Sequence, residues 1–446
     1  MAELSSGGAL ADVVTAQKRG RALGITSVCS AHPVVLRAAF EQALDEGGAV
    51  LVESTSNQVN QEGGYTGVTP SGFAEFVGRL AQEAGVPRER VVLGGDHLGP
   101  HPWRAAGVAV AMARAAEMVR QYVRAGCAKI HLDASMACAD DPEGPLAEAV
   151  AAARTADLAA AAEAAVAEGP RGGAPLYVVG TEVPPPGGQA GGHEGPVPTR
   201  ASDAERTIEL TRQAFARRGL ERAWERVVAV VVQPGVEFGD DVVFPYRRGT
   251  ADLGALAAAR GLVYEAHSTD YQDESALRAL VEDRFAILKV GPELTFAFRE
   301  AAFALEAVER ELLGRTVGRL SGLRQALDDA MRADPRHWRD WYAGDDEEAL
   351  RLRRAFSLSD RCRYYWTAPP VQEALHRLHA NLEGRRLPRG LLSQHLRDRG
   401  EGAGADEPGL AERLERGHVR RVLGRYARAC DPDPAAVSPD AGRVPR

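Results

Sequence analysis

Eight short apolar runs rich in β-branched residues recur over the first 300 residues, separated by Ala-rich segments with helical periodicity. The runs are Ile25–Ser30, Ala49–Thr55, Val91–His97, Lys129–Ser135, Leu176–Val183, Val227–Gln233, Leu262–Thr269 and Ala286–Glu293. Near-continuous apolar strands alternating with helices predict a parallel sheet covered on both faces. Eight such units in succession favour a closed (β/α)8 barrel over an open doubly wound sheet. An open sheet would carry a Gly-rich phosphate loop after an early strand, and no such loop is present.

The segments between the runs agree. Ala105–Arg124 and Leu146–Glu168 place apolar residues at helical spacing, and Ser202 is read as an N-cap ahead of acidic first-turn residues. Two connections are long for a barrel: 56–71 after the second run and 184–198, rich in Gly and Pro, after the fifth. Long strand-to-helix loops are where a barrel places binding residues. After Glu300 the strand pattern ends, and short helices with aromatic anchors follow, HWRDWY, SDRCRYYW and PVQEALHRLH. The predicted organisation is a barrel over 1–314, a helical C-terminal extension over 315–426 and a disordered Pro- and Asp-rich tail over 427–446.

The composition, 45% hydrophobic and 26% charged with a net charge of −8, predicts a folded protein without the basic surface of a nucleic-acid binder. No apolar run approaches the ~20 residues of a membrane span, and the start lacks a signal-peptide core. Five cysteines without CxxC spacing make neither a disulfide framework nor a zinc ribbon. A soluble, cytoplasmic protein is the expectation.

Polar residues gather at the C-terminal ends of the runs: Glu53, Asp96 with His97, His131 with Asp133, Glu182, Gln233, His267 with Ser268 and Asp270, and Lys289 with Glu293. Each costs desolvation in a buried strand, and that rim is the active-site face of (β/α)8 barrels. The clustering predicts an enzyme. His97, Glu182 and His267 form a set of two histidines and one carboxylate suited to zinc or manganese, with nickel and cobalt as alternatives. His131 and Asp133, two apart on a strand, face one side; Asp133 is read as a fourth ligand or a second acid/base. Asp96 is placed to act as general base. The substrate-binding set comprises Glu53, Asn57, Gln58, His131, Gln233, Ser268, Asp270, Lys289 and Glu293. Lys129 and Lys289 face the barrel interior, where carboxylate pairing, anion binding and Schiff-base formation are the alternatives. His193, in the Gly-rich loop, receives no role. His376 and His379 are read as surface or packing residues, and SDRCRYYW as helix packing that caps the barrel or reaches the substrate.

At these residues the chain resembles a known family. SVCSAHP, ESTSNQVNQEGGYTG, LGGDHLGP, KIHLDASMACADDP, GTEVPPPGG, EAHSTDYQ, LKVGPELTFAFREA and SLSDRCRYYW are similar to the Z-type subunit family of class II tagatose-bisphosphate aldolase. The resemblance spans about Gly24 to Trp366 and implies a barrel of the class II aldolase type, whose divalent metal stabilises an enediolate. It implies one of two roles: a metal-dependent ketohexose 4-epimerase interconverting D-tagatose and D-fructose by retro-aldol chemistry, or a non-catalytic Z subunit supporting a separate aldolase catalytic subunit. By the same resemblance Asp96 is the base, Glu182 matches the acidic residue after the fifth strand, and His97, Glu182 and His267 hold the metal; with Asp133 handling the second proton on the expected route, the catalytic set is Asp96, Asp133 and Glu182. Gln233 stands where the aldolases have a histidine ligand. The stretch His267-Ser268-Thr269-Asp270 has no phosphate-cradling glycine and carries an acid, which favours an unphosphorylated ketohexose over its phosphate. A homo-oligomer is expected.

Overall fold

The computed structural model describes residues 7–169, 173–180, 195–314, 320–342, 344, 346–396 and 409–431. All eight runs form strands: β1 (Ile25–Cys29), β2 (Val50–Thr55), β3 (Val91–Leu98), β4 (Lys129–Leu132), β5 (Leu176–Val179), β6 (Val227–Val231), β9 (Val263–Ala266) and β10 (Phe285–Val290), with a hairpin of β7 (Glu237–Phe238) and β8 (Val243–Phe244) inserted after β6. The eight close into one barrel in the order β1-β2-β3-β4-β5-β6-β9-β10, and β10 returns to pair in parallel with β1. Most strands end before the runs do, because the terminal polar residues turn out of the ladder into the rim loops.

Helices cover the barrel. Val108–Arg124 and Glu148–Ala167 lie within the segments expected to be helical. The helix at Ser202 begins one residue earlier, at Ala201, with Arg200 in the N-cap position, where its side chain makes no capping hydrogen bond and pairs with Asp203 instead, so the expected serine cap is not formed. The sequence pattern gave no sign of the helix Gly8–Lys18, whose Leu10, Val13 and Val14 pack on Ile25, Leu51, Val92, Val178 and Ile287 and plug the N-terminal end of the barrel. That plug leaves the opposite rim as the open end.

Beyond Leu313 the described chain is helical: Leu323–Ala333, Glu347–Phe356, Pro369–Leu382, Arg389–Leu396 and Leu410–Cys430. The last of these runs past residue 426, through Cys430. Its Tyr426 hydroxyl donates to Thr269 O at 2.7 Å, joining the extension to the rim after β9. All five cysteines are free thiols. Among the described residues no helix is long and apolar enough to cross a membrane.

Candidate active site at the barrel rim

In each strand, alternate residues point into the barrel. Below the rim, where such barrels usually pack branched apolar side chains, this chain places Glu53 (β2), Lys129 (β4), Glu265 (β9) and Lys289 (β10), all buried. They neutralise one another. Lys129 Nζ lies 2.6 Å from Glu53 Oε1 and 2.5 Å from Glu265 Oε2. Lys289 Nζ lies 2.7 Å from Glu53 Oε2 and 2.7 Å from Asp96 Oδ1. Gly94, directly across from Glu53 on β3, has no side chain for a reason: a Cβ there would sit 2.7 Å from Glu53 Oε1.

One step up the strands come Asp96, His131 and His267. With Glu265 they form a group whose potential ligand atoms all lie within 4.8 Å of one another. His131 Nδ1 contacts Asp96 Oδ1 at 2.9 Å and His97 N at 3.3 Å, and its Nε2 is a buried atom with no hydrogen-bond partner among the described residues. An orphaned imidazole nitrogen beside two carboxylates and a second imidazole is what a divalent cation site offers before the ion arrives. The donor set therefore fits a metal. Burial pushes the His267 pKa down to about 3, so the ring is neutral and ligand-competent. Burial opposes ionisation of Asp96, but His97, Lys289 and the His131 contact hold its pKa well below the ordinary carboxylate value.

Glu265 carries no signal in the linear sequence, although its position two residues before His267 puts both on one strand face. His97 sits beside the four-residue group: its ring centroid is 4.8 Å from that of His267, while its Nδ1 is held by Asp133 Oδ2 at 2.8 Å. Asp133 in turn accepts from Ser135 N and Oγ at 3.0 and 2.6 Å. It acts here as the support of His97. His97 and Ser268 adopt positive φ, 49° and 54°, a strained backbone for non-glycine residues, and both flank the site. Glu182 lies outside the described residues, as does His193.

An open pocket above the group is lined by Asn57, Gln58, Asp96, His97, His267, Ser268, Asp270 and Lys289 from the expected set, joined by Thr55, Tyr65, Phe238, Arg363 and Tyr364. Glu53 and His131 lie beneath it. Two expected substrate contacts are otherwise engaged. Gln233 Oε1 accepts the N–H groups of Gly235 and Val236 at 2.8 and 3.1 Å, closing the turn into the hairpin. Glu293 Oε2 accepts Tyr271 N at 2.7 Å, and its other oxygen pairs with Arg425. Asp270 faces the pocket but also holds a helix start, because its Oδ1 accepts Gly291 N and Glu293 N at 3.0 and 2.8 Å at the beginning of Pro292–Leu313. Burial raises its pKa to about 7. An acid half-protonated near neutrality and turned onto a helix terminus is a weak barrier to phosphate, which removes the electrostatic argument for an unphosphorylated sugar.

Lys289, held in ion pairs with Glu53 and Asp96, matches the electrostatic alternative for the interior lysines. His379 packs as expected, its Nε2 lying 3.0 Å from Glu415 Oε1 of the last helix.

Residues 10–431 match the family model described as D-tagatose-1,6-bisphosphate aldolase subunit GatZ/KbaZ-like. A D-tagatose 6-phosphate 4-epimerase of Agrobacterium fabrum is 50% identical over 391 residues, 87% of this chain and 90% of that protein. The D-tagatose-1,6-bisphosphate aldolase subunit GatZ of Salmonella heidelberg is 46% identical over 437 residues, 95% of this chain and 100% of that protein. A crystal structure of a probable tagatose 6 phosphate kinase from Sinorhizobium meliloti 1021 is similar with a TM-score of 0.81 at 44% identity, covering 91% of this chain and 100% of that one.

Proposed function

Since this chain belongs to the D-tagatose-1,6-bisphosphate aldolase subunit GatZ/KbaZ-like family, we propose that it is a metal-dependent epimerase that inverts C4 of a ketohexose of the tagatose–fructose pair. The observation that carries the reading is the buried Asp96–His131–Glu265–His267 group beneath an open pocket, together with the 50%-identical epimerase. Inverting C4 requires oxidation there or breakage of a bond to it, and the chain has no dinucleotide fingerprint to supply a hydride acceptor. Breaking C3–C4 is the feasible route, because the electron pair then rests on C3 beside the C2 carbonyl.

Asp96 Oδ2 takes the proton of the C4 hydroxyl as the bond breaks, C4 becomes an aldehyde, and the pocket retains both fragments. Lys289 keeps a positive charge beside Asp96 throughout. The aldehyde turns its other face and re-adds to C3, and Asp96 returns the proton to the new hydroxyl. His131, Glu265 and His267, with His97 adjacent, are the residues that would hold a divalent cation, beside Asp96 as the base. Such a cation supplies Lewis-acid stabilisation of the charge on the ketose fragment, and zinc, manganese, nickel and cobalt all suit these donors. The proposed setting is the cytoplasm, with the protein acting as a homo-oligomer.

The second reading, an accessory subunit to a separate aldolase, draws on the 46%-identical relative. The purified chain alone, supplied in turn with each divalent metal and with D-tagatose or D-tagatose 6-phosphate, separates the two. The epimerase reading expects the fructose epimer to form, a C4 deuterium label to be retained, and Asp96→Asn to lose about 100- to 10,000-fold in rate. No turnover with any metal refutes it, and stimulation of an added class II aldolase would then establish the accessory role.

A further inference from the structure

The outer wall of the pocket comes from a segment far along the chain. The turn Arg361–Tyr365 is held over the barrel mouth by Asp360, which takes Thr295 Oγ1 at 2.6 Å on Oδ2 and Arg299 Nε at 3.0 Å on Oδ1. Leu358 ties in on both sides: its N donates to Asp240 O at 2.9 Å, and its O accepts the Tyr271 hydroxyl at 2.6 Å. These bonds deliver Arg363 and Tyr364 into the pocket that holds Asp96, His267 and Lys289.

Arg363 differs from its neighbours. Buried Arg299 and Arg354 and part-buried Arg425 each face a carboxylate. The Arg363 partners are all neutral: Nη1 donates to Ser359 O at 2.6 Å and Asp360 O at 3.0 Å, and Nη2 to Tyr364 Oη at 2.9 Å. Its guanidinium carbon lies 4.4 Å from the centroid of the Tyr364 ring. Of the five N–H groups of a guanidinium, Nε–H and one on Nη2 have no acceptor among the described residues. A fixed, half-buried cation whose hydrogen-bond partners are all neutral, with the Asp360 carboxylate acting on it only from beyond ion-pair contact, is under-compensated in the free protein, and its fork geometry matches phosphate oxygens. The opposite pole of the pocket is the Asp96 and His267 pair.

Building on the C4-epimerase reading, and taking the 6-phosphate class from the name of the 50%-identical relative, we infer that Arg363 is the residue that selects for the terminal phosphate, with C2 to C4 of the sugar over Asp96 and the phosphate on the Arg363 fork. The helical extension thereby completes the substrate site of the barrel.

Calorimetric titration of the full-length protein with D-fructose 6-phosphate, D-fructose and inorganic phosphate tests this. The unaltered protein binds the 6-phosphate at least about tenfold tighter than the free sugar, and inorganic phosphate competes with the 6-phosphate. In Arg363→Gln the affinity for the 6-phosphate falls by about 30- to 100-fold, the loss expected for charge-assisted hydrogen bonds. The free sugar loses far less, and Arg363→Lys recovers part of the loss. Equal affinity of the unaltered protein for phosphorylated and free sugar overturns the assignment, and this comparison needs no variant to fold. An equal loss for both sugars in Arg363→Gln also overturns it, by making the residue structural. Phosphate-selective binding without C4 turnover would remove the epimerase reading and leave the Arg363 subsite standing.

Discussion

Lys129 is the sharpest test of the buried charge network. It is fully buried, with carboxylate oxygens of Glu53 and Glu265 at 2.6 and 2.5 Å. At an effective dielectric of about 20, each contact carries about 6 kcal/mol of Coulomb attraction, which is set against the several kcal/mol per ion required to bury the charges. The intact network thus contributes little net stability, whereas Lys129→Met, close in shape, leaves two buried carboxylates short of a cation. Lys289 compensates in part, 2.7 Å from Glu53 but 3.6 Å from Glu265, so Glu265 bears most of the damage. The expected loss is about 3–5 kcal/mol, a large part of a total stability of about 5–15 kcal/mol. Equilibrium urea unfolding, run with chelator so that metal does not contribute, would show it as a lower midpoint. The double variant Lys129→Met/Glu265→Gln, which neutralises the abandoned acid, should be more stable than the sum of the single effects by about 1–3 kcal/mol. A Lys129→Met loss below about 1 kcal/mol, or strict additivity in the double variant, would refute the reasoning.

Metal analysis of purified variants should show His131→Ala and His267→Ala losing about 10-fold or more in divalent-metal affinity, with Gln233→Ala unchanged because its oxygen is bound to backbone N–H groups. Borohydride added during turnover should leave no covalent adduct by mass spectrometry, since Lys289 is locked between Glu53 and Asp96 as an ammonium; an adduct on Lys289 would establish Schiff-base chemistry. In the extension, burial opposes the charge on His379, but its hydrogen bond with Glu415 raises the His379 pKa above 6.5, and burial raises that of Glu415 above 4.5. At these two groups the folded state binds more protons than the unfolded one, so the stability they contribute is present at low pH and is lost as pH rises through the folded His379 pKa. Neutral histidines with pKa values lowered by burial, such as His267 and His32, act in the opposite sense, so the test is a difference: in thermal unfolding from about pH 5 to pH 8.5, the advantage of the unaltered protein over His379→Gln should shrink as pH rises.

Much of this protein is written locally. The apolar runs mark the barrel strands because side chains alternate with period two and a doubly covered sheet needs both faces apolar. The acids and histidines at the run ends mark the functional rim for the same reason, since a buried strand has no structural use for them. Local pattern also placed helices to within a few residues. It failed where a residue's role depends on what closes against it. Glu265 reads as one acid in a strand until the barrel brings β4 and β10 to it and sets Lys129 and Lys289 against it. Gln233 and Glu293 sit on the rim with the right chemistry, but the hairpin turn and Arg425 of the last helix engage them. Asp270 looks like a barrier to phosphate in the linear chain and becomes the cap of a helix start once that helix packs behind it. Arg363 joins the pocket from a segment more than 70 residues beyond the last barrel strand. Sequence alone determined the barrel and its reactive rim, because periodicity and desolvation act within a few residues. Tertiary structure decided which polar groups pair and which remain free for a ligand, because electrostatic partners are chosen by distance in space.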